Sequence, residues 1–244
     1  LSSDFEITAL HGFAGTPQDW DFFPEIKNKI NLWSWPLLAL TSLDAGADYL
    51  AQSAPRSTSK PQILVGYSMG GRLALHALIA HPTVWAGAIL ISSHLGLKTD
   101  SEREARLSQD EMWAQKWQTD PWDQLWSEWN SQAVFENSNL LCRSERDFDR
   151  LKLAQVLRGW SLGEQKDLRE KYLKIQVPTL FVVGERDLKF LKLQKEFQAE
   201  AEALQALHLG FKTVAGAGHR VPWDQPTLFS QSLSQFVDSI AIIG

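Results

Sequence analysis

Cysteine is almost missing from this sequence: Cys142 is the one thiol in 244 residues. No internal disulfide can form, so a cytoplasmic setting is expected. Its neighbours Leu140, Leu141 and Arg143 predict a half-buried structural thiol, not a nucleophile. A basic block is absent too, and the formal net charge of −5 argues against nucleic acid as a partner. The apolar runs are too short to cross a bilayer, so no membrane insertion is expected, and no secretory signal follows Leu1. There is no Gly-x-Gly-x-x-Gly after a strand and no Gly-x-x-x-x-Gly-Lys-Ser/Thr, which removes the common nucleotide cofactors. His11, His76, His81, His94, His208 and His219 lack the spacing to acids or thiols that a metal site needs. No cofactor and no metal are expected. Repeats and low-complexity tracts are likewise missing.

What is present is an ordinary globular composition, 44% apolar and 22% charged, at a length suited to one α/β domain with an insertion. Eleven tryptophans are the exception, and Trp85, Trp113, Trp117, Trp122, Trp126, Trp129 and Trp160 crowd between residues 85 and 160. Most of these are expected to pack, with one or two lining a ligand pocket.

The chain is organised around Ile63-Leu64-Val65-Gly66-Tyr67-Ser68-Met69-Gly70-Gly71-Arg72. An apolar strand pattern enters Gly66 and a helical pattern leaves from Met69, enclosing Gly-x-Ser-x-Gly. A strand that turns straight into a helix strains its central residue and leaves the flanks no room for a Cβ. Ser68 is therefore the candidate nucleophile, and the Met69 N–H, at a helix N-terminus, is a candidate oxyanion donor. Earlier, Phe5–Leu10 reads as a strand ending in His11-Gly12-Phe13-Ala14-Gly15. The Phe13 N–H is there the second oxyanion donor, or the turn is a plain glycine turn with a packed His11. Thr16 and Pro17 mark a helix start, and Trp20, Phe23 and Ile26 recur at helical spacing as core.

Residues 31–40 are expected to be a strand, 41–54 a helix and 55–61 the loop into the central strand. Residues 86–92, 178–184 and 211–215 read as further strands, with helices over 190–207 and 225–240. This alternation predicts a doubly wound, mainly parallel sheet. Between residues 98 and 173 strand patterns vanish, and helices are expected over 102–117, 121–129, 146–157 and 163–173. The division predicted is a core of 1–97 and 174–244 with a helical cap at 98–173.

Asp187 stands just past one strand and His219 just past another, at the rim where open α/β sheets place ligand chemistry. Ser68 needs a base to take its proton, His219 can be that base near neutral pH, and Asp187 would fix its tautomer. The order Ser68, Asp187, His219 is the one the α/β-hydrolase fold uses.

The motifs go further. His11-Gly12-Phe13-Ala14-Gly15 with Asp19-Trp20, the elbow with its trailing Arg72, and Gly184-Glu185-Arg186-Asp187-x-Lys189-Phe190 fit one branch of that superfamily. So do three cap signatures: Glu102-Arg103-x-x-Arg106-x-x-x-Asp110-x-x-Trp113-Ala114, Trp129-x-x-Gln132-x-Val134-Phe135 and Ser161-Leu162-x-x-Gln165-x-x-Leu168. Over nearly its whole length the chain resembles the 2-succinyl-6-hydroxy-2,4-cyclohexadiene-1-carboxylate synthases of menaquinone biosynthesis. It departs from them after His219, where Arg220-Val221-Pro222-Trp223-Asp224 replaces the usual Asn and second His, and at Trp35-Pro36-Leu37-Leu38, in place of an Asp-x-Pro-Gly-His-Gly type of loop.

The resemblance implies a lyase that eliminates pyruvate from a succinyl-enolpyruvyl-hydroxycyclohexene carboxylate, with Ser68 made basic by His219 and Asp187. It implies a polycarboxylate substrate held by Arg72, Arg106 and Trp129, with Tyr67 contributing. Two alternatives remain from the residues alone: a serine esterase or C–C hydrolase using the same triad, and a non-catalytic binding protein on the same fold.

Overall fold

The computed structural model describes residues 5–53 and 60–243. Six strands form one sheet: β1 Glu6–Leu10, β2 Asn28–Ile30, β3 Gln62–Tyr67, β4 Trp85–Ile91, β5 Thr179–Gly184 and β6 Leu209–Val214. Their order is β2-β1-β3-β4-β5-β6, and every neighbouring pair is parallel. β3 lies inside, buried along its whole length, which is why its sequence is a continuous apolar run.

Side chains alternate across the sheet and feed a core on each face. Ile63 and Val65 join Ile7, Ala9, Ile89 and Val182 beneath the final helix, whose Phe229, Leu233 and Val237 cover them. Leu64 joins Leu10, Leu90 and Phe181 on the other face, under Leu50, Leu73 and Phe197. The helices supplying these covers are α1 Leu43–Ser53, α2 Met69–Ala80 and, toward the C-terminus, α7 Leu188–Ala203 and α8 Pro226–Ile243.

Residues 92–178 contain no strand. They hold α3 Asp100–Thr119, α4 Trp122–Asn130, α5 Arg150–Gly159 and the single turn α6 Arg169–Tyr172. α3 starts at a reciprocal cap in which the Glu102 N–H donates to Thr99 Oγ1 and the Thr99 N–H to the Glu102 carboxylate. Tryptophan rings tie this helical stretch to the core. Trp117 packs edge-on against Phe13, 5.2 Å between ring centres, and against Trp122 and Trp129 at 5.5 and 5.6 Å.

Several expected elements differ. Residues 31–40 are not a strand: the ladder stops at Ile30 and two 3₁₀ turns follow, Leu32–Ser34 and Leu37–Leu40. The Asn31 side chain accepts from the Trp33 N–H at 3.1 Å, Pro36 has no N–H to offer a ladder, and Trp33 is drawn away to donate to the Gly15 carbonyl at 2.6 Å. Trp20, Phe23 and Ile26 are buried as expected but sit on consecutive three-residue turns, with Phe23 N bonded to Trp20 O and Ile26 N to Phe23 O. A spacing of three suits that tighter geometry.

The helix expected over 163–173 shrinks to Arg169–Tyr172, because the Gln165 side chain donates to the His94 carbonyl and the Leu168 N–H to Leu95 O. Cys142 is free and exposed, not half-buried, since its neighbour Arg143 turns inward. Residues 54–59, within the expected loop before β3, lie outside the described residues. Among the described residues no helix is long and apolar enough to cross a membrane.

Candidate active site

Ser68 sits between β3 and α2 with φ +51° and ψ −109°, a conformation that side-chain-bearing residues seldom adopt. The glycines around it are sterically required. A Cβ on Gly66 would stand 2.6 Å from Gly71 Cα, and one on Gly70 would stand 2.6 Å from Leu10 O and nearer still to His11 O. The strain aims Oγ out over the carboxyl edge of the sheet.

Two other strand ends deliver their residues to the same point. Asp187 follows β5 and caps α7, accepting from the Phe190 N–H at 3.4 Å through one oxygen. Its other oxygen lies 2.6 Å from His219 Nδ1, and His219 Nε2 lies 3.2 Å from Ser68 Oγ. Asp187 and His219 are buried. With the carboxylate on Nδ1, the proton belongs there, and Nε2 is left to accept from the serine hydroxyl. Ser92 Oγ donates to the His219 carbonyl at 3.0 Å, and the rings of Phe190, Tyr67 and Phe135 surround the imidazole at 4.7, 5.6 and 5.7 Å.

Phe13 and Met69 both border the space beside Ser68, and among the described residues neither backbone N–H is taken by a hydrogen bond. His11 proves to be the residue that shapes their turn. Its Nδ1 bonds the Gly12 carbonyl at 2.8 Å, and its Nε2 accepts from the Leu32 N–H at 3.2 Å. Burial holds its pKa down at about 4, so it is a neutral, structural imidazole.

A cavity of about 390 Å³ opens over Ser68 and His219, roofed by residues of α3, α4 and α5. Arg72, Arg106 and Trp129 all line it. Arg72 is buried and donates to Trp160 O at 2.6 Å and Gln165 Oε1 at 3.3 Å. Burial, and then the neighbouring Arg106, lower its pKa to about 9, so it stays cationic at neutral pH. Arg106 sends Nε to both oxygens of Asp110 at 2.8 Å, and Asp110 also accepts from Ser161 Oγ. Tyr67 is placed differently: it is absent from this wall, packs on Trp223 at 4.8 Å, and borders a smaller hollow on the other side of Ser68. Burial raises its phenol pKa, keeping it neutral.

Three cavity groups had no assigned role in the sequence reading. Lys189, whose ammonium burial and Arg106 push below the usual range, stands two residues past Asp187 on the wall. His94 accepts from the Gly96 N–H at 3.0 Å and is pushed to about 3 by burial and then Lys189, so its Nε2 carries a fixed proton. Phe135 contacts both His219 and Trp129. Position just past the carboxyl end of a strand is the signal that could have found both, Lys189 beyond β5 and His94 beyond β4. Of the Trp-rich stretch, Trp113, Trp129 and Trp160 reach the cavity. No three His, Cys, Asp or Glu groups gather to hold a metal among the described residues.

Comparison with known proteins bears on the family and the fold. The family profile described as "Serine aminopeptidase, S33" matches residues 40–226. The 2-succinyl-6-hydroxy-2,4-cyclohexadiene-1-carboxylate synthase of Yersinia pestis (strain Nepal516) is 30% identical over 244 residues, covering 93% of this chain and 85% of the relative. A Haemophilus influenzae protein, described provisionally by the same synthase name, is 32% identical and covers 95% and 96%. Among solved structures, MenH from S. aureus superimposes with a TM-score of 0.85 at 22% identity, covering 99% of this chain and 96% of that one. A thermophilic esterase from Thermogutta terrifontis gives a TM-score of 0.72 at 19% identity, covering 97% and 90%.

Proposed function

Because the chain belongs to the 2-succinyl-6-hydroxy-2,4-cyclohexadiene-1-carboxylate synthases, within the α/β-hydrolase superfamily, we propose that it is the lyase of menaquinone biosynthesis that eliminates pyruvate from 2-succinyl-5-enolpyruvyl-6-hydroxy-3-cyclohexene-1-carboxylate. Ser68 takes the ring proton beside the succinyl carbonyl, its own proton having passed to His219 Nε2. The electron pair moves through the ring double bond and breaks the bond between ring carbon and ether oxygen. Enolpyruvate leaves, the proton held by His219 is returned to it, and pyruvate and a conjugated diene result. Asp187 keeps the imidazole in register and balances its transient charge. The Phe13 and Met69 N–H groups receive the negative charge that develops on the succinyl oxygen.

The observation that carries this reading is the placing of Arg72 and Arg106 on the same cavity as Ser68. Guanidinium groups suit carboxylates, and the substrate has three. An ester hydrolase with an uncharged substrate gains nothing from Arg72, a buried cation whose desolvation is unfavourable. A non-catalytic binding protein would have no use for the hydrogen-bonded Ser68, His219 and Asp187. Residues 98–173 act as the cap that excludes water from the reacting enolate. The free Cys142 thiol suits a reducing cytoplasm.

Purified protein should release pyruvate from the pathway intermediate faster than it cleaves p-nitrophenyl acetate, and the reverse ranking would leave only the hydrolase reading. Ser68→Ala should lower pyruvate release by about a thousandfold or more. Retention of activity within a few-fold would remove Ser68 as the base.

A further inference from the structure

Two hollows meet at Ser68. The larger one holds Arg72 and Arg106; the smaller, about 60 Å³, lies toward Gly12–Gly15 and shares Phe13, Ser68, Trp129 and Phe135 with it. At the space one water needs, this is room for about four or five non-hydrogen atoms. Its polar wall is made of Tyr67, Asp19, Arg143 and Arg220.

The two arginines on that wall differ in their charge balance. Arg143 is matched: its Nη2 stands 2.7 Å from both oxygens of Asp19, and its Nε donates to the Ala14 carbonyl. Arg220 is 3% exposed, yet its hydrogen bonds go to neutral acceptors, Asn139 O at 2.7 Å, Asn130 Oδ1 at 2.5 Å and the Tyr67 hydroxyl. Its guanidinium lies 4.2 Å from the centre of the Phe135 ring. It forms no ion pair among the described residues. Asp224, on the same turn, favours the charged guanidinium from a distance but does not touch it, its oxygens being occupied by Ser138 Oγ, Asn139 N and Gly218 N. A buried guanidinium that no carboxylate directly contacts is costly. A counter-ion bound in the adjoining hollow offsets that cost.

We propose that the smaller hollow is an anion subsite in which Arg220 holds the carboxylate of the three-carbon enolpyruvyl arm. The substrate then straddles Ser68, with its leaving group against Arg220 and its ring and succinyl carboxylates on the Arg72 side. This rests on the elimination proposed above. The departure from the family pattern after His219 is thereby a binding feature: the residue following the catalytic imidazole reaches across to the 130–139 segment and closes the subsite.

Pyruvate is the probe, with succinate as the probe of the larger hollow. Pyruvate should compete with substrate, and Arg220→Gln and Arg220→Asn should each weaken that inhibition by about tenfold or more while moving succinate inhibition by less than about twofold. Arg220→Lys, which keeps the charge, should retain part of the pyruvate inhibition. Equal weakening of both inhibitors would mean that Arg220 only braces the 130–139 segment, and would overturn the subsite. So would a wild type indifferent to pyruvate. A second readout needs no turnover: broadening of the pyruvate methyl NMR signal by wild type but not by Arg220→Gln supports the subsite, and equal broadening overturns it. The NMR result stands even if the protein releases no pyruvate from the intermediate, an outcome that would sink the elimination alone.

Discussion

Arg72 shows how one side chain serves two ends at this site. It stands one helical turn beyond Ser68, the Arg72 N–H bonding the Ser68 carbonyl at 3.0 Å. Its head closes the buried Trp160 carbonyl and touches Gln165, joining α2 to the 160–165 stretch, while its charge faces the cavity. Arg72→Ala should therefore do two separable things. Leaving the Trp160 carbonyl buried and unpaired should lower stability by about 1–3 kcal/mol in urea unfolding. Losing a carboxylate partner should raise KM by about ten- to a hundredfold with a smaller change in kcat. A stability loss with unchanged KM would make Arg72 a structural residue only.

At the scale of elements, the strand β3, the turn at Ser68 and the helix α2 form the unit whose shape the local sequence signals most directly. The turn leaves no space at Gly66 or Gly70, and the conformation at Ser68 follows from that crowding. Gly70→Ala would press a methyl group on the His11 and Leu10 carbonyls, backbone atoms that cannot yield without moving the Phe13 turn. We expect a loss of about 1–3 kcal/mol, seen as a lower unfolding midpoint, together with activity lost in greater proportion than helix content by circular dichroism. Activity preserved at wild-type level would show that the Phe13 N–H is not needed.

The segments after β2 and before α6 behave oppositely. Their apolar residues are buried, but the partners that bury them, Gly15 for Trp33 and Leu95 for Leu168, come from distant parts of the chain. Periodicity alone reads such residues as strand or helix, because it registers burial and cannot name the neighbour.

For the whole molecule, acidity is the sharpest lever. His11 and His94 are buried and neutral, with pKa values near 4 and 3 against 6.5 when free. The unfolded chain binds more protons than the folded one between those limits, so stability rises with pH there and is lost as pH falls below about 6.5. From pH 7.5 to 5 the pair should cost about 4 kcal/mol. Asp19 works the other way toward the acid end, since burial outweighs Arg143 and raises its pKa. Urea midpoints at pH 7.5 and 5 test this, with His94→Gln, which keeps an acceptor for the Gly96 N–H, expected to remove about half of the difference. A wild type equally stable at both pH values would refute the assignment of these two imidazoles.

Sequence by itself determined the parallel sheet, the elbow and the order of Ser68, Asp187 and His219, because each is a local pattern: an apolar run, a glycine spacing, a residue just past a strand. It also determined that Arg72, Arg106 and Trp129 would be candidates, through motif resemblance. Only the tertiary structure decided that Tyr67 faces the smaller hollow, that His11 is a brace, that Lys189 and His94 line the cavity, and that Arg220 is buried with no ion pair among the described residues. Those facts depend on which distant groups share a small volume, and on whether a charge there finds its opposite, and neither is written in the neighbours along the chain.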